Sequence, residues 1–128
     1  MDTDSFLNAD SFAVVGASTD RTEYGNIILR MYLKHGFPVA AVNPNAKSVE
    51  GIPCVSRLSD LPEVPQAISV VTPPNVSREV IREALELGIG HIWLQPGAEN
   101  AECVEILDAE AVNGIHSGPC ILVVVSLR

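Results

Sequence analysis

The sequence predicts a single α/β domain built on a doubly wound parallel sheet of about five strands. One observation is size, since 128 residues suffice for one hydrophobic core. Another is composition: 47% of the residues are hydrophobic but only 5% are aromatic, which is typical of parallel sheets rich in Val, Ile and Ala. The third is order, because short apolar runs alternate with helical stretches, and such alternation implies right-handed crossovers between parallel strands.

Five continuous apolar runs are predicted strands, because strands buried on both faces lose the apolar–polar alternation. They cover residues 13–15, 39–42, 67–71, 91–94 and 121–125. The segment 43–63 is less regular, and we expect it to hold a short strand at residues 53–55 and one helical turn near residues 59–61. Residues 1–11 are predicted to be an N-terminal extension, and residues 12–128 are predicted to be the domain itself.

Three stretches are predicted helices, because their apolar side chains recur every three or four residues. The first covers residues 25–35 and stops at Gly36. The second begins with Asn75 as N-cap and stops at Gly88, and the third covers residues 99–112. The predicted buried faces carry Ile28, Leu29, Tyr32 and Leu33 in the first helix, Val76, Val80, Ala84 and Leu87 in the second, and Cys103, Leu107 and Ala111 in the third.

The charge balance excludes two classes of partner. The formal net charge is −8, with only eight Lys and Arg residues, so we expect no nucleic acid and no acidic membrane surface as partner. A phosphate compound would have to be bound by local groups instead. Backbone N–H groups at a helix start and one or two cations are the groups that suit this task.

The cysteine pattern predicts a reduced, cytoplasmic protein. Cys54, Cys103 and Cys120 are odd in number and far apart, with no paired spacing typical of a disulfide framework or a metal site. The first ten residues contain no basic side chain and no long apolar run, unlike a signal peptide. No stretch reaches the ~18 apolar residues that a membrane span requires.

Five loops follow the predicted strands and are expected to meet along one edge of the sheet, where open parallel sheets bind their ligands. They are residues 16–19, 43–47, 72–75, 95–98 and 116–119. In the first, Gly16 allows a turn and the next residues are small, so a phosphate could approach the start of the following helix. An ordinary turn that binds nothing remains an equal alternative from spacing alone.

A dinucleotide site is disfavoured by two features. Gly25 stands nine positions after Gly16, which is too long for the glycine fingerprint of NAD sites. The second strand ends in Asn43 and Pro44 instead of the acid that usually holds the ribose hydroxyls. Lys47 follows closely and could meet a phosphate, although a lone lysine is more often a solvated surface residue.

Several short motifs together resemble a known family. In chain order they are VVGAS, YGN, VNPN, GIPC, TPPNV, GIGHIWLQPGAEN and PCILV. This ordered set resembles the small single-domain CoA-binding proteins over nearly the whole chain from Phe12. These proteins are similar to the N-terminal CoA-binding domain of the succinyl-CoA synthetase α subunit.

The resemblance implies a Rossmann-like domain that binds the ADP part of coenzyme A at the first two strand ends. Lys47 would take the place of a CoA-binding lysine of the synthetase. The cofactor-binding residues that the resemblance implies are Gly16, Ala17, Ser18 and Thr19 at the pyrophosphate, Arg21, Tyr24, Gly25 and Asn26 beside it, Asn43, Pro44 and Lys47, then Val71, Thr72 and Pro73 along the nucleotide, and finally Gln95, Pro96 and Gly97.

Two parts of the chain depart from the family pattern. Related domains often carry a basic residue just before the Tyr-Gly pair, where this chain has Glu23. Arg21 would have to turn into the pocket to restore the charge. The C-terminal tail is also an apolar run where a polar ending is expected.

No catalytic constellation can be recognised in the sequence. His35, His91 and His116 are predicted to be capping, packed or surface residues, and Cys120 is predicted to open a buried strand. Glu99 is predicted to be a first-turn acid favoured by the helix dipole. No histidine and cysteine spacing suggests a metal site, and a phosphohistidine domain like that of the synthetase would not fit in this length.

The sequence therefore predicts a non-catalytic domain that binds coenzyme A or an acyl-CoA. The enzymatic step, if any, would belong to a partner subunit, and the last strand could pair with a second copy. Two alternatives stay open. One is an NAD(P)-dependent oxidoreductase that uses the same first loop, and the other is a domain that has lost its ligand and acts through protein contacts.

Overall fold

A computed structural model describes all 128 residues of the chain. It contains five α-helices, seven strands and one short 3₁₀ turn. The helices are α1 (Thr3–Leu7), α2 (Tyr24–Lys34), α3 (Pro74–Glu86), α4 (Ala101–Asp108) and α5 (Ile121–Ser126); the strands are β1 (Phe12–Val15), β2 (Val39–Val42), β3 (Ser48–Val49), β4 (Ile52–Val55), β5 (Ala67–Val70), β6 (His91–Leu94) and β7 (Asn113–Ile115); the 3₁₀ turn is Leu58–Asp60.

The seven strands form one sheet in the order β3-β4-β2-β1-β5-β6-β7. All neighbours are parallel except β3, which pairs antiparallel with β4. The chain winds outward from β1 first through β2 and then through β5, so the direction reverses between β1 and β5. The α/β doubly wound, Rossmann-like prediction is confirmed. The strand number is seven because a short hairpin and a three-residue edge strand join the sheet.

The two faces of the sheet carry two separate hydrophobic cores. Alternate side chains of β1 lie on opposite faces of the sheet: Phe12 and Val14 pack in one core, and Ala13 and Val15 pack in the other. Helices α1, α2 and α5 cover the first face, where Trp93 and Tyr32 are completely buried. Helices α3 and α4 cover the second. The strands are thus buried on both sides, which explains their continuous apolar runs.

The predicted final strand at residues 121–125 is wrong. These residues form α5, in which Ile121 and Val125 are buried while Val123 is 55% exposed. A four-residue spacing of buried positions fits a helix, and a run of five apolar residues does not by itself distinguish the two structures. The edge position belongs to β7, and Cys120 is the N-cap of α5. A dimer through a terminal strand therefore loses its basis.

The third predicted helix is shorter than expected. It ends at Asp108, and Ala111 is exposed, because the chain must turn into β7. Gly114 in that strand lies so close to α4 that a Cβ there would come within 2.5 Å of the Cγ of Leu107. The second helix begins at Pro74 rather than after Asn75, and Ser77, Ile81 and Ala84 form its buried positions.

The N-terminal segment packs against the domain. Asp2 caps α1, and its main chain exchanges two hydrogen bonds of 2.7 Å with the side chain of Asn113 in β7. Phe6 is completely buried, with its ring 5.1 Å from that of Trp93. The division of the chain at residue 12 stays a prediction. None of the five helices is both long and apolar enough to traverse a lipid bilayer.

Candidate functional site

The carboxyl ends of the four central strands lie level with one another. Val15 is in register with Val42 on one side and with Val70 on the other, and Val70 is in register with Leu94. The loops that follow these strands therefore open onto one rim, as the sequence predicts.

Three clefts follow one another along this rim, with volumes of about 450, 440 and 480 Å³. The helix-start cleft lies between the start of α2 and the ends of β5 and β6; the central cleft lies between the ends of β1 and β2 and helix α3; the hairpin cleft lies beside the β3–β4 hairpin. Gly16 and Thr72 line both of the first two clefts, and Pro44 and Ser56 line both of the last two. The three clefts are thus connected along the rim, with Gly16 between the first two.

The first loop is fixed to β2 by its own backbone. The N–H groups of Gly16 and Ala17 donate to the carbonyl of Val42, at 2.9 and 3.3 Å. Ala17 is completely buried as well. These two residues shape the turn, but their amides are already occupied and are not available to a ligand.

Other amides of the same corner are unoccupied. The N–H groups of Ser18 and Thr19 in the loop, and of Tyr24 and Gly25 in the first turn of α2, donate to no acceptor within the protein. Such groups at a helix start carry the positive end of the helix dipole. Tyr24 and Gly25 line the helix-start cleft, which therefore has the chemistry of an anion site.

Gly16 and Gly25 meet although they are nine positions apart in the chain. A Cβ on Gly25 would overlap the carbonyl oxygen of Gly16. Gly16 itself has φ +97, and a Cβ there would lie 2.7 Å from the carbonyl oxygen of Val71. The long loop thus achieves the close helix–strand approach that the shorter fingerprint gives in NAD-binding folds.

Asn43 and Asn26 are structural neighbours of the loop. The Asn43 Nδ2 donates to the carbonyl of Ala17 at 2.6 Å, and its Oδ1 accepts from the N–H of Asn45 at 2.8 Å. Asn26 is completely buried and donates to the carbonyl of Ser18 at 2.8 Å. Both side chains therefore fix backbone carbonyls of the loop, and neither lines any of the three clefts.

The two cations of the predicted site have different surroundings. The Lys47 side chain is exposed, lines the hairpin cleft and belongs to no ion pair. Arg21 lines none of the three clefts; its guanidinium lies 3.8 Å from the carboxylate of Glu50. Arg21 therefore does not compensate for Glu23, which lines the helix-start cleft.

The later strand ends contribute five of the six predicted residues. Val71, Thr72, Pro73, Pro96 and Gly97 all line the helix-start cleft. Gln95 does not, because it is 98% buried and its Oε1 accepts from the N–H of Ile121 at 2.9 Å. It joins the end of β6 to the start of α5, an element that the sequence interpretation assigned to the sheet.

Sequence reasoning missed several lining residues. Ser56, Arg57, Val76 and Val80 line the central cleft, while Thr22 and Ala98 line the helix-start cleft. Val76 and Ala98 lie within the quoted motifs TPPNV and GIGHIWLQPGAEN, so the motifs could have indicated them, whereas the other four stand in connections or on a helix face with no local signal. Cys54 lines the hairpin cleft beside Lys47, and burial raises the pKa of its thiol above the usual value.

The remaining candidates lie outside these clefts. Glu99 precedes the N-cap Asn100 and accepts from the N–H of Ser117 at 2.6 Å, so it is not a first-turn acid. His35 is the C-cap of α2, and His91 contacts Asn113. His116 contacts both Asp108 and Ser117. The structure thus gives these residues contacts within the fold.

Comparisons with known proteins agree with the family resemblance that the sequence motifs indicate. A family model described as a CoA binding domain matches residues 10–126. A conserved hypothetical protein from Pyrococcus furiosus has 42% identity and a TM-score of 0.82, over 88% of this chain and 97% of that one. No curated protein sequence matches the chain.

A larger enzyme contains a similar unit. Dinucleotide-forming acetyl-coenzyme A synthetase 1 from Ca. Korarchaeum cryptofilum, in complex with phosphate and ADP, has 26% identity and a TM-score of 0.78. The match covers 90% of this chain but 27% of the synthetase chain. A hypothetical protein from Pyrococcus horikoshii, at 24% identity and a TM-score of 0.85, shares the fold. The family match extends over nearly the whole chain, which therefore belongs to the CoA-binding domain family.

Proposed function

We propose that this domain binds coenzyme A or an acyl-CoA, holds its ADP part at the carboxyl ends of β1 and β2, and does not itself catalyse a reaction. The observation that carries the proposal is the group of unoccupied N–H donors at Ser18, Thr19, Tyr24 and Gly25. Tyr24 and Gly25 line the helix-start cleft, whereas Ser18 and Thr19 belong to the loop between β1 and α2 and line none of the three clefts. The family fold has coenzyme A as its ligand class. Diphosphates suit such a corner because several backbone donors share the charge.

Asn43 supports the orientation of one of these donors. A trans peptide places its C=O and the next N–H on opposite sides, and the chain has no cis peptide bond. Because Asn43 holds the Ala17 carbonyl, the Ser18 N–H points away from Asn43. Both polar atoms of the Asn43 side chain already make hydrogen bonds within the loops, and the side chain lacks the carboxylate that usually holds the ribose hydroxyls of NAD. This favours coenzyme A over a dinucleotide.

The charge of the ligand must be balanced locally in a chain with a net charge of −8. Lys47 is an unpaired cation on the rim, and the hairpin cleft that it lines joins the central cleft at Pro44 and Ser56. We infer that Lys47 meets a phosphate of the nucleotide. The similar unit within the acetyl-coenzyme A synthetase chain supports the same ligand class.

The non-catalytic part of the proposal is supported by the side chains that line the clefts. None of the lining residues is a histidine, and the cysteine among them, Cys54, has a raised thiol pKa that disfavours the reactive thiolate. A reaction on the acyl group would then require a partner subunit. The cytoplasm, with its reducing conditions, is the compartment we propose for the three free thiols.

Isothermal titration with coenzyme A, dephospho-CoA and NAD tests the proposal on the unmodified chain. We expect heat of binding with coenzyme A, weaker binding of dephospho-CoA, and none with NAD. Indifference to all three would overturn the proposal and leave the protein-interaction alternative. Tighter binding of NAD than of coenzyme A would instead favour the oxidoreductase alternative.

A further inference from the structure

The tip of the β3–β4 hairpin has an unfavourable residue for its backbone. Glu50 has φ +49 and the following Gly51 has φ +82. Two consecutive left-handed residues make a tight hairpin turn that Asn-Gly or Asp-Gly forms with the least strain. A glutamate there has no conformational advantage, so its presence points to a role of its side chain.

The Glu50 carboxylate joins a closed network beneath the first loop. Its Oε2 accepts from the buried Asn26 Nδ2 at 3.2 Å, and its Oε1 lies 3.8 Å from the guanidinium of Arg21. The Asn26 Oδ1 accepts from Arg30 Nε at 2.7 Å, and Arg30 Nη2 donates to the carbonyl of Arg21 at 2.9 Å. Every polar atom of the Asn26 side chain is thus engaged.

This network fixes one peptide of the loop. The second acceptor of Asn26 Nδ2 is the carbonyl of Ser18, at 2.8 Å. The Ser18 carbonyl and the Thr19 N–H belong to the same trans peptide and point in opposite directions. Holding the carbonyl toward the buried Asn26 therefore directs the unoccupied Thr19 N–H outward, to the exposed side of the loop.

We propose that Glu50 is a positioning residue for ligand binding, which acts through Asn26 to orient the Thr19 N–H toward a phosphate group. The inference rests on the proposed function and names a residue outside the three clefts. This role also explains why an acidic residue stands close to the proposed anion site. The Glu50 carboxylate faces Arg21 and Asn26, behind the loop.

The substitution Glu50→Asn separates this role from stability. The shorter side chain no longer reaches Asn26, whose buried Nδ2 loses one acceptor. Asparagine suits the left-handed turn and offsets this loss, so the melting temperature should change little. We expect the dissociation constant for coenzyme A to rise about fivefold, the effect of one ordinary hydrogen bond. Glu50→Gln keeps an acceptor at the same length, and its dissociation constant should change less than that of Glu50→Asn.

Two controls distinguish positioning from charge. Glu63→Asn removes the same charge from an exposed loop that lines a hollow at the other end of the strands, and it should leave binding unchanged. If Glu50 acted by charge alone, its removal would tighten anion binding and the effect would fade at high salt. Positioning predicts weaker binding at low and at high salt. Equal or tighter binding by Glu50→Asn would overturn the inference.

A measurement without ligand tests the role of Glu50 independently of the proposed coenzyme A binding. The amide resonance of Thr19, in a ¹H–¹⁵N spectrum without ligand, should move in Glu50→Asn and not in Glu63→Asn. Should the unmodified chain fail to bind coenzyme A, the proposed function falls, and the Thr19 resonance still decides whether Glu50 orients this peptide. An unmoved resonance would contradict the inference.

Discussion

Single residues determine whether the rim can hold an anion. Two arginines line the central cleft, but each is held by a glutamate: Arg57 pairs with Glu83 at 3.2 Å and Arg82 with Glu79 at 3.3 Å. Lys47 has no such partner. Its charge is therefore the least compensated positive charge along the clefts, and a bound phosphate would gain most from it.

Lys47→Ala should weaken coenzyme A binding by about 0.5–2 kcal/mol, the range for one partly solvated ionic contact. Lys34→Ala is the matched control, because Lys34 is also exposed and unpaired but lies in the last turn of α2, away from the rim. It should leave the affinity unchanged. Titration calorimetry measures both, and equal affinities for the two variants would place the phosphate elsewhere.

Gly25→Ala tests the contact between the two glycines. Its Cβ would overlap the Gly16 carbonyl, so α2 must shift, and we expect a loss of about 1–3 kcal/mol in the free energy of unfolding. The shift would also displace the free amides and weaken binding. Gly90→Ala is the control, since no atom lies within 4 Å of its added Cβ. Denaturant unfolding would refute this account if Gly25→Ala were as stable as Gly90→Ala.

The same geometry changes the interpretation of Gly16. From the sequence, a branched side chain at Gly16 would block a phosphate. In the structure its Cβ would collide with the Val71 carbonyl, and the positive φ adds strain. Loss of binding in Gly16→Val would therefore report a damaged fold, which makes it a poor test of the ligand site.

At the scale of elements, a buried hydrogen bond joins α2 to β5. The Tyr32 hydroxyl lies 2.8 Å from the Ser69 hydroxyl, and both residues are completely buried. Burial raises the pKa of Tyr32 well above its ordinary value, and the contact with Ser69 opposes only part of this rise. The neutral phenol is therefore the form that the folded state stabilises.

Tyr32→Phe should lower stability at neutral pH by about 1–2 kcal/mol, because the Ser69 hydroxyl loses its partner. The pH dependence has a definite sign. Above the ordinary tyrosine pKa of about 10 the unfolded chain releases the phenol proton while the folded chain keeps it, so stability falls as the pH rises.

Unfolding free energies measured between pH ~9.5 and ~11 check this, since that range spans the ordinary tyrosine pKa. The unmodified chain should lose stability more steeply than Tyr32→Phe. Tyr24→Phe, which removes a phenol that is 63% exposed, should retain the slope of the unmodified chain. Parallel curves for all three would show that the Tyr32 phenol ionises as readily in the folded state.

At the scale of the whole molecule, α1 and α5 complete the core that α2 begins. Phe6 packs against Phe12, His91 and Trp93, with ring centroids 5.1–6.3 Å apart. Phe12 and His91 open their strands, so this cluster lies at the opposite end of the sheet from the clefts. Stability and ligand binding should therefore be separable across the molecule.

Phe6→Ala should cost about 3–5 kcal/mol of unfolding free energy, the usual loss for a fully buried phenylalanine. The dissociation constant for coenzyme A should not change under conditions in which the variant is folded. Leu127→Ala, at a position 81% exposed, should be nearly neutral. A small loss for Phe6→Ala, measured by denaturant unfolding, would mean that α1 contributes little to the core.

The amino-acid sequence alone determined the parts of this protein that local patterns encode. Apolar runs, helical spacing and a glycine stop predict strands at residues 13–15, 39–42, 67–71 and 91–94 and a helix over residues 25–35, and the structure has these elements with bounds that differ by at most one residue. Motif order along the chain was sufficient to indicate the family.

Only the tertiary structure decided which segments join the sheet edge and which donors stay free. Strand β7 has three residues and no apolar run, so its own sequence does not indicate a strand. Its extended conformation is stabilised by pairing with β6. Likewise Gly16 meets Gly25, and Asn26 meets Glu50, through packing between residues far apart in the chain. The physical reason is that local periodicity sets backbone conformation, whereas pairing and hydrogen-bond satisfaction depend on neighbours that only the folded chain supplies.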